Sequence, residues 1–314
     1  MNTTDRQGLK REARKALAKA QYDPKKLILI HTGASVALGL ILALVDYLLS
    51  LGIDETGGLS GVGMRSVLET IQSVLMIVQL VAAMFWQIGY VYVALKISKG
   101  EQAGIRDLFQ GFRQFGPVLR LQMLITLIYS GLSIVSAYIS SMLFMFTPWS
   151  EPLTQATLVG TEEAMLAVMD QVMLPMMGIM VLVMLILLVP CYYRLRQAQY
   201  ALMEDPRAGA LAAVRKSRAL MRGRRMELFK LDLSFWWFYV LEMLTLFVAD
   251  GELILEMLGI SLPWSSTVSY YIFLALCYLC TLVLYWWRGN EVQVTYAKAY
   301  EALLPPAESE KDCG

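Results

Sequence analysis

One histidine and four cysteines are the only imidazole and thiol ligands in 314 residues, and neither type clusters. His31 has no second histidine and no cysteine near it, so zinc sites, Ser/His/Asp catalysis and histidine proton relays all lack parts. Cys191, Cys277 and Cys280 fall in apolar stretches and Cys313 in the carboxy-terminal tail, which leaves no pair in position for a disulfide framework. Cys277 and Cys280 form a Cys-x-x-Cys, but inside an apolar run and without the strand-helix context of a redox motif, so structural thiols are the favoured reading. The glycine-rich phosphate and dinucleotide fingerprints are also missing, which removes the motif a nucleotide-driven pump or a Rossmann enzyme needs. Charge itself is scarce. Only 17% of residues are charged, against about a quarter in soluble domains, while 57% are hydrophobic and the mean hydropathy is +0.52. A soluble fold has nowhere to put that surface.

What is present is a set of long apolar runs, at 27–51, 67–95, 118–146, 172–193, 228–249 and 268–287. Each reaches the roughly 20 residues that a helix needs to cross a hydrocarbon core of about 30 Å. The expected fold class is therefore an all-α integral membrane protein, six transmembrane helices arranged as three hairpins in one domain over 1–304, with a disordered tail at 305–314. Residues 1–26 are too long and too charged for a signal n-region, and no small-residue cleavage site follows the first run, so that run is expected to remain as a span.

Lysine and arginine fix the orientation, because loops on the cytoplasmic side carry the excess. Of 27 basic residues, 26 lie in the amino-terminal segment, the even-numbered connections and the carboxy-terminal end, and only Arg65 lies elsewhere. With 14 acids on the basic side and 12 on the other, the two faces carry +12 and −11, a polarity hidden inside a net charge of +1. An odd number of spans would strand a basic block outside. Both termini are accordingly expected in the cytoplasm, with the chain in a plasma membrane.

Each hairpin opens with a basic amphipathic segment. Leu9, Ala13, Ala16, Leu17 and Ala20 make one helical stripe with Lys10, Arg11, Arg14, Lys15 and Lys19 off it; Ile105, Leu108, Phe109 and Phe112 repeat the spacing. The third segment starts with Asp205 as N-cap and Pro206 at the first position, carries Ala210, Val214, Ser217 and Met221 on one face, and stops at Gly223. Three repeated units of interfacial helix plus hairpin and three independent juxtamembrane helices describe this pattern equally well.

The stretch 192–234 holds a tyrosine-rich exit from a span, the turn Glu204, Asp205, Pro206, then Ser-Arg-x-Leu-Met-x-Gly at 217–223 and Phe-x-Leu-Asp-Leu-Ser at 229–234, with weaker echoes at 107–116 and 294–303. This resembles a bacterial integral membrane family known by the label domain of unknown function nine-seven-five. The resemblance implies a multi-pass membrane fold and no activity.

Ionisable groups inside spans are costly and therefore candidates for function. Asp232 sits beside Lys230 and below Arg222, Arg224 and Arg225, where a structural ion pair is the favoured reading. Glu242 lies about 21 Å along a helix started at Leu228; Gln72 and Gln79 of the second span are its candidate hydrogen-bond partners, and a hydrogen-bonded carboxyl is favoured over a proton or cation relay. Met165, Met169, Met173, Met177, Met180 and Met184, with Met176 close by, form a stripe that reads as adaptable packing and not as a Cu(I) site. Ser133, Ala137 and Ser141, and separately Ser136 and Ser140, suggest close helix packing. Trp149 and Trp264, with Trp236, Trp237, Trp286 and Trp287, fit two aromatic belts.

The expected role is a non-enzymatic scaffold, envelope or accessory factor. Its basic face, represented by Arg11, Arg14, Lys15, Arg215, Lys216, Arg218, Arg222, Arg224 and Arg225, engages anionic lipid or a protein partner, including a second copy of the chain. No cofactor, metal or nucleic acid is expected, because topology already explains the basic residues. The alternative is a small-solute or ion transporter that uses the intramembrane carboxylates.

Overall fold

The computed structural model describes residues 5–55, 61–249, 251, 255 and 266–304. Trp264, Lys311, Cys313 and the expected tail lie outside the described residues, as do the side chains of Arg65 and Met165. Every element among the described residues is helical. The helices gather into two compact units, one of residues 1–118 with 226–314 and one of residues 119–225. Five helical stretches are long and apolar enough to cross a membrane: Pro24–Leu49, Ser66–Lys99, Phe115–Met145, Gln171–Glu204 and Val268–Leu303. They match five of the six expected runs. Large apolar side chains along them, among them Leu44, Ile77, Leu127, Leu185 and Leu279, are exposed, as lipid-facing surface should be.

In the first unit, α1 (Arg6–Lys19) is started by Asp5, whose carboxylate accepts from the Gly8 amide at 2.9 Å. A helix this short does not hold by itself in water. It is held by docking: Leu9 and Ala13, 1% and 0% exposed, pack toward α14 (Asn290–Leu303) and α3 (Gly61–Lys99). Leu9 and Ala13 of the expected stripe are thus spent on the protein, while Ala16, Leu17 and Ala20 are half-buried.

Asp23 and Pro24 then open α2 (Pro24–Glu55). It packs antiparallel to α3, with His31 stacked between Trp86 and Tyr90 at centroid distances of 5.5 and 4.7 Å. The indole of Trp86 donates to the His31 carbonyl at 2.8 Å. At the end of α3, Gly100 adopts φ +77°; its amide and that of Glu101 return to the carbonyls of Ile97 and Lys96, a Schellman stop that a residue with a Cβ makes poorly.

The second amphipathic segment differs from expectation. It is two single turns, α4 (Ile105–Leu108) and α5 (Gln110–Arg113), interrupted at Phe109. Leu108 is buried, whereas Ile105, Phe109 and Phe112 stay exposed. The reason is a backbone contact that no periodicity reports. A Cβ on Gly89 would lie 1.8 Å from the Leu108 carbonyl oxygen, and one on Gly111 would lie 2.0 Å from that of Phe85. The two glycines admit each other's neighbouring carbonyl, at a separation suited to weak Cα–H···O contacts, and that approach sets the path of the segment.

The expected fifth run, 228–249, is not one helix. It divides into α11 (Arg225–Leu233) and α12 (Trp236–Ala249) at Ser234 and Phe235. Lys10 of α1 explains the break. Its ammonium takes the Ser234 carbonyl at 2.8 Å, the group that Phe238 would use in an unbroken helix, and the Phe238 amide turns to Phe235 instead. The Ser234 hydroxyl, bonded to the Leu231 carbonyl at 2.6 Å, reinforces it. The 14 residues of α12 measure about 21 Å, so α12 does not reach span length within the described residues.

Beside α12 runs α13 (Ser266–Leu284), which passes through a π-helical turn, Tyr285–Gly289, into α14. Contacts between Glu242 and Tyr285 and between Thr245 and Thr281 make α12 and α13 antiparallel. Tyr47 against Tyr271 and Gly39 against Tyr278 make α2 and α13 antiparallel as well, so α2 and α12 share a direction.

The second unit holds most of α6 (Phe115–Met145), then α7 (Ser150–Val159), α8 (Glu162–Leu195), α9 (Ala198–Glu204) and α10 (Gly209–Leu220). Asp205 caps the single 3-10 turn Pro206–Ala208 by accepting from the Arg207 and Ala208 amides. The expected stripe of α10 is borne out: Ala210, Val214, Ser217 and Met221 are all buried, and the Ser217 hydroxyl donates to the Arg194 carbonyl at 2.8 Å. On α6, Ser136 and Ser140 are buried while Ser133, Ala137 and Ser141 are exposed, so only one small-residue stripe packs. The methionine stripe does not fill an interface in this chain. Met169, Met173, Met176, Met177, Met180 and Met184 are all exposed on α8.

Candidate functional site

The polar chemistry of the first unit concentrates on α14. Glu291, in its first turn, is held from both sides: Arg14 of α1 reaches one oxygen at 2.7 Å and Arg288 the other at 2.7 Å. The Glu291 side chain is 11% exposed, that of Arg14 60%, so the pair clasps α1 to α14 while leaving the arginine partly in solvent. Asn290 accepts from the Tyr90 hydroxyl and donates to the Pro24 carbonyl at 2.9 Å, which joins α14 to the starts of α2 and the end of α3. Glu301 takes the Ser98 hydroxyl and Lys298. Lys10 lies 3.8 Å above the Phe235 ring; partial burial pushes its ammonium below the ordinary lysine range, and Glu291 opposes that shift.

Asp232 and Glu242 come to one seam. The Tyr296 hydroxyl of α14 donates to Asp232 at 2.7 Å and lies 2.5 Å from the Tyr239 hydroxyl. One turn further, the Tyr285 hydroxyl in the π turn donates to Glu242 at 2.6 Å. Thr245 and Thr281 continue the line at 3.4 Å. Glu242 therefore has a tyrosine as its partner, not Gln72 or Gln79 as expected, and it sits six residues beyond the start of α12, about 9 Å. For Asp232 the contact that links it to the seam is Tyr296; Arg222, Arg224 and Arg225 belong to the second unit.

Gln72 and Gln79 line a different feature, a cleft of about 480 Å³ between α2, α3 and α13, together with Glu69, Tyr270, Tyr271 and Tyr278.

Among the nine basic candidates, Arg14 is engaged by Glu291 and Lys216 by Glu204 at 2.6 Å. Arg11, Lys15, Arg215, Arg218, Arg222 and Arg224 are exposed, and Arg225 is half-buried. Sequence reasoning missed a lysine-rich hollow of about 440 Å³ where α1, the end of α3 and α14 meet, lined by Lys15, Lys19, Lys99 and Lys298 with Glu12 and Glu101. It also missed Glu291, Asn290 and Glu301. Their signal was present, in that 290–303 alternates polar and apolar residues at helical spacing, but it lay beyond the last apolar run. Cys277 is buried and Cys280 exposed on α13, and among the described residues no three His, Cys, Asp or Glu side chains gather to hold a metal ion.

No curated protein and no solved structure matches the chain. A family model described as "Protein of unknown function (DUF975)" matches residues 1–288, so this chain of apolar helices belongs to the DUF975 family.

Proposed function

We propose that the protein is a non-enzymatic, multi-pass membrane protein of the bacterial plasma membrane that binds anionic lipid headgroups through its basic, cytoplasmic face. Six spans with both termini inside are supported by the charge partition and by α12, which runs beside α13 in the direction of α2. The observation that carries the reading is the hollow lined by Lys15, Lys19, Lys99 and Lys298 at the basic end. The Glu291 clasp and Lys10 dock the helices that carry these lysines, so Lys15, Lys19 and Lys99 converge on one hollow beside Lys298, which is paired with Glu301, and a phosphate meets a converging basic site and not a flexible tail. The basic exposed surface of α10 adds a second, less enclosed contact. Such a protein acts as a scaffold or accessory subunit, either for a protein partner or for a second copy of itself.

The test is thermal unfolding of delipidated protein on return to phosphatidylglycerol or to phosphatidylcholine. The reading expects stabilisation by the anionic lipid alone, and its loss in Lys15→Gln/Lys19→Gln. Equal stabilisation by both lipids overturns it.

A second reading rests on the seam from Asp232 through Tyr296 and Tyr239 toward Tyr285 and Glu242. Hydroxyls and carboxylates in line between two apolar helices suit proton or cation movement. Cation flux into proteoliposomes that is present in the wild type and absent in Glu242→Gln supports it; absence of flux in both removes it.

A further inference from the structure

We propose that the lysine hollow of the first unit selects, among phosphate lipids, those whose headgroup carries free hydroxyls, a proposal that rests on reading the hollow as a lipid-phosphate site. The hollow presents both signs of charge. On α1, Glu12, Lys15 and Lys19 follow the i, i+3, i+7 spacing of one helix face, and all three line it. Along the axis they cover about 10 Å. Glu101 adds a second carboxylate from the chain that leaves α3. The Schellman stop at Gly100 sets it there, since the Glu101 amide returns to the Lys96 carbonyl at 2.9 Å. Glu301 takes both Lys298 and the Ser98 hydroxyl, so the charge of Lys298 is already offset within the protein. The choice of headgroup therefore falls to Lys15 and Lys19 on one side and to Glu12 and Glu101 on the other.

A phosphate suits the lysines and not the carboxylates. With phosphate alone in the hollow, Glu12 and Glu101 would face a like charge. A cationic headgroup relieves that contact only by carrying an ammonium to within one turn of Lys15, because Glu12 and Lys15 are about 4.5 Å apart along the axis. A hydroxyl has neither fault. It is neutral, it donates to a carboxylate, and its lone pairs accept from a lysine on the same face. Its bond to a carboxylate is charge-assisted and belongs to the stronger class. Exposure orders the two parts of the headgroup: Lys15 and Lys19 are exposed and Glu12 is half-buried, so the phosphate stays at the rim while the hydroxyls reach inward. At about 440 Å³ the hollow is within the size range of small-molecule sites, and Ala16 and Ala20 leave the α1 wall open between the charged positions.

The test uses the delipidated full chain in a neutral maltoside detergent, with native mass spectrometry of added dioleoyl lipids as readout. Phosphatidylglycerol and phosphatidylmethanol carry the same charge and differ in the headgroup diol. Phosphatidylglycerol is expected to bind about tenfold tighter. In Glu12→Gln/Glu101→Ala that ratio is expected to fall to about one, with phosphatidylmethanol bound no more weakly than by the wild type. Glu101→Ala alone, at an exposed position, is expected to lower it about threefold. Equal binding of the two lipids by the wild type overturns the hydroxyl selection. If both then still exceed phosphatidylcholine, the lipid-phosphate reading stands; if neither does, that reading falls as well. A ratio unaltered in both variants overturns the assignment to Glu12 and Glu101. Tighter binding of phosphatidylethanolamine than of phosphatidylglycerol overturns the hydroxyl in favour of an ammonium.

Discussion

Replacing Lys10 by methionine tests whether α1 is a docked part of the fold. Methionine keeps an unbranched stem of similar length and so preserves the packing of the aliphatic part. What is lost is the charge-assisted bond to the Ser234 carbonyl at 2.8 Å and the ammonium over the Phe235 ring at 3.8 Å. The bond is worth about 1.5–3 kcal/mol and the ring contact about 0.5–2 kcal/mol. Against these stands the desolvation of a partly buried cation, which methionine avoids and which lowers the Lys10 pKa. A net loss of about 2 kcal/mol in α1 docking follows, equivalent to a roughly thirtyfold larger open population. The assay is the maleimide labelling rate of Ala13→Cys, a position 0% exposed, in a background cleared of native cysteines. Labelling should be slow with Lys10, about thirtyfold faster with Lys10→Met, and near the original rate with Lys10→Arg. If Ala13→Cys labels at one rate in all three backgrounds, Lys10 does not hold α1. If it labels as fast as an exposed cysteine in every background, α1 is not docked.

Gly89→Ala forces a Cβ to within 1.8 Å of the Leu108 carbonyl oxygen and should cost about 1–3 kcal/mol through displacement of α4 and α5, read as a lower melting temperature; an unchanged melt contradicts the reciprocal glycine contact. Tyr285→Phe removes the donor to Glu242 and is expected to destabilise by about 1–3 kcal/mol, with Glu242→Gln milder because an amide still accepts; the reverse order in thermal unfolding is the contrary result. Asp205→Ala removes the cap of the turn before α10 and should cost about 1 kcal/mol, with increased amide exchange at Arg207 and Ala208; unchanged exchange there rejects the cap. Neutralising Glu291 as Glu291→Gln leaves Arg14 and Arg288 without their shared carboxylate, so Ala13→Cys labelling should accelerate; an unaltered rate shows that the clasp is not what retains α1.

Local rules carried the features that depend on neighbours in sequence. Apolar runs gave five helices of span length, an Asp-Pro pair gave the cap before α10, and the 3.6-residue period gave the buried face of α10 and, on α1, the buried Leu9 and Ala13. The features that were not legible depend on residues far apart. The break between α11 and α12 needs Lys10, 224 positions away, and the path of α4 and α5 needs a glycine on another helix. Asp232 and Glu242 were identifiable as candidates because ionisable residues in apolar runs stand out. Their partners were not, because tyrosines such as Tyr285 and Tyr296 read as ordinary membrane aromatics until folding sets them opposite a carboxylate. The methionine stripe shows the opposite error, a strong pattern that reads as packing and lies exposed.

Single-cysteine accessibility tests the proposed polarised, six-span topology most directly. In intact cells, with native cysteines replaced, Arg65→Cys and Trp149→Cys are expected to react with a membrane-impermeant maleimide. Arg11→Cys and Arg215→Cys, both at exposed positions of the basic face, are expected to react only after permeabilisation. Labelling of Arg65→Cys and Arg215→Cys from the same side contradicts the topology, and with it the assignment of the lysine hollow to the cytoplasmic leaflet.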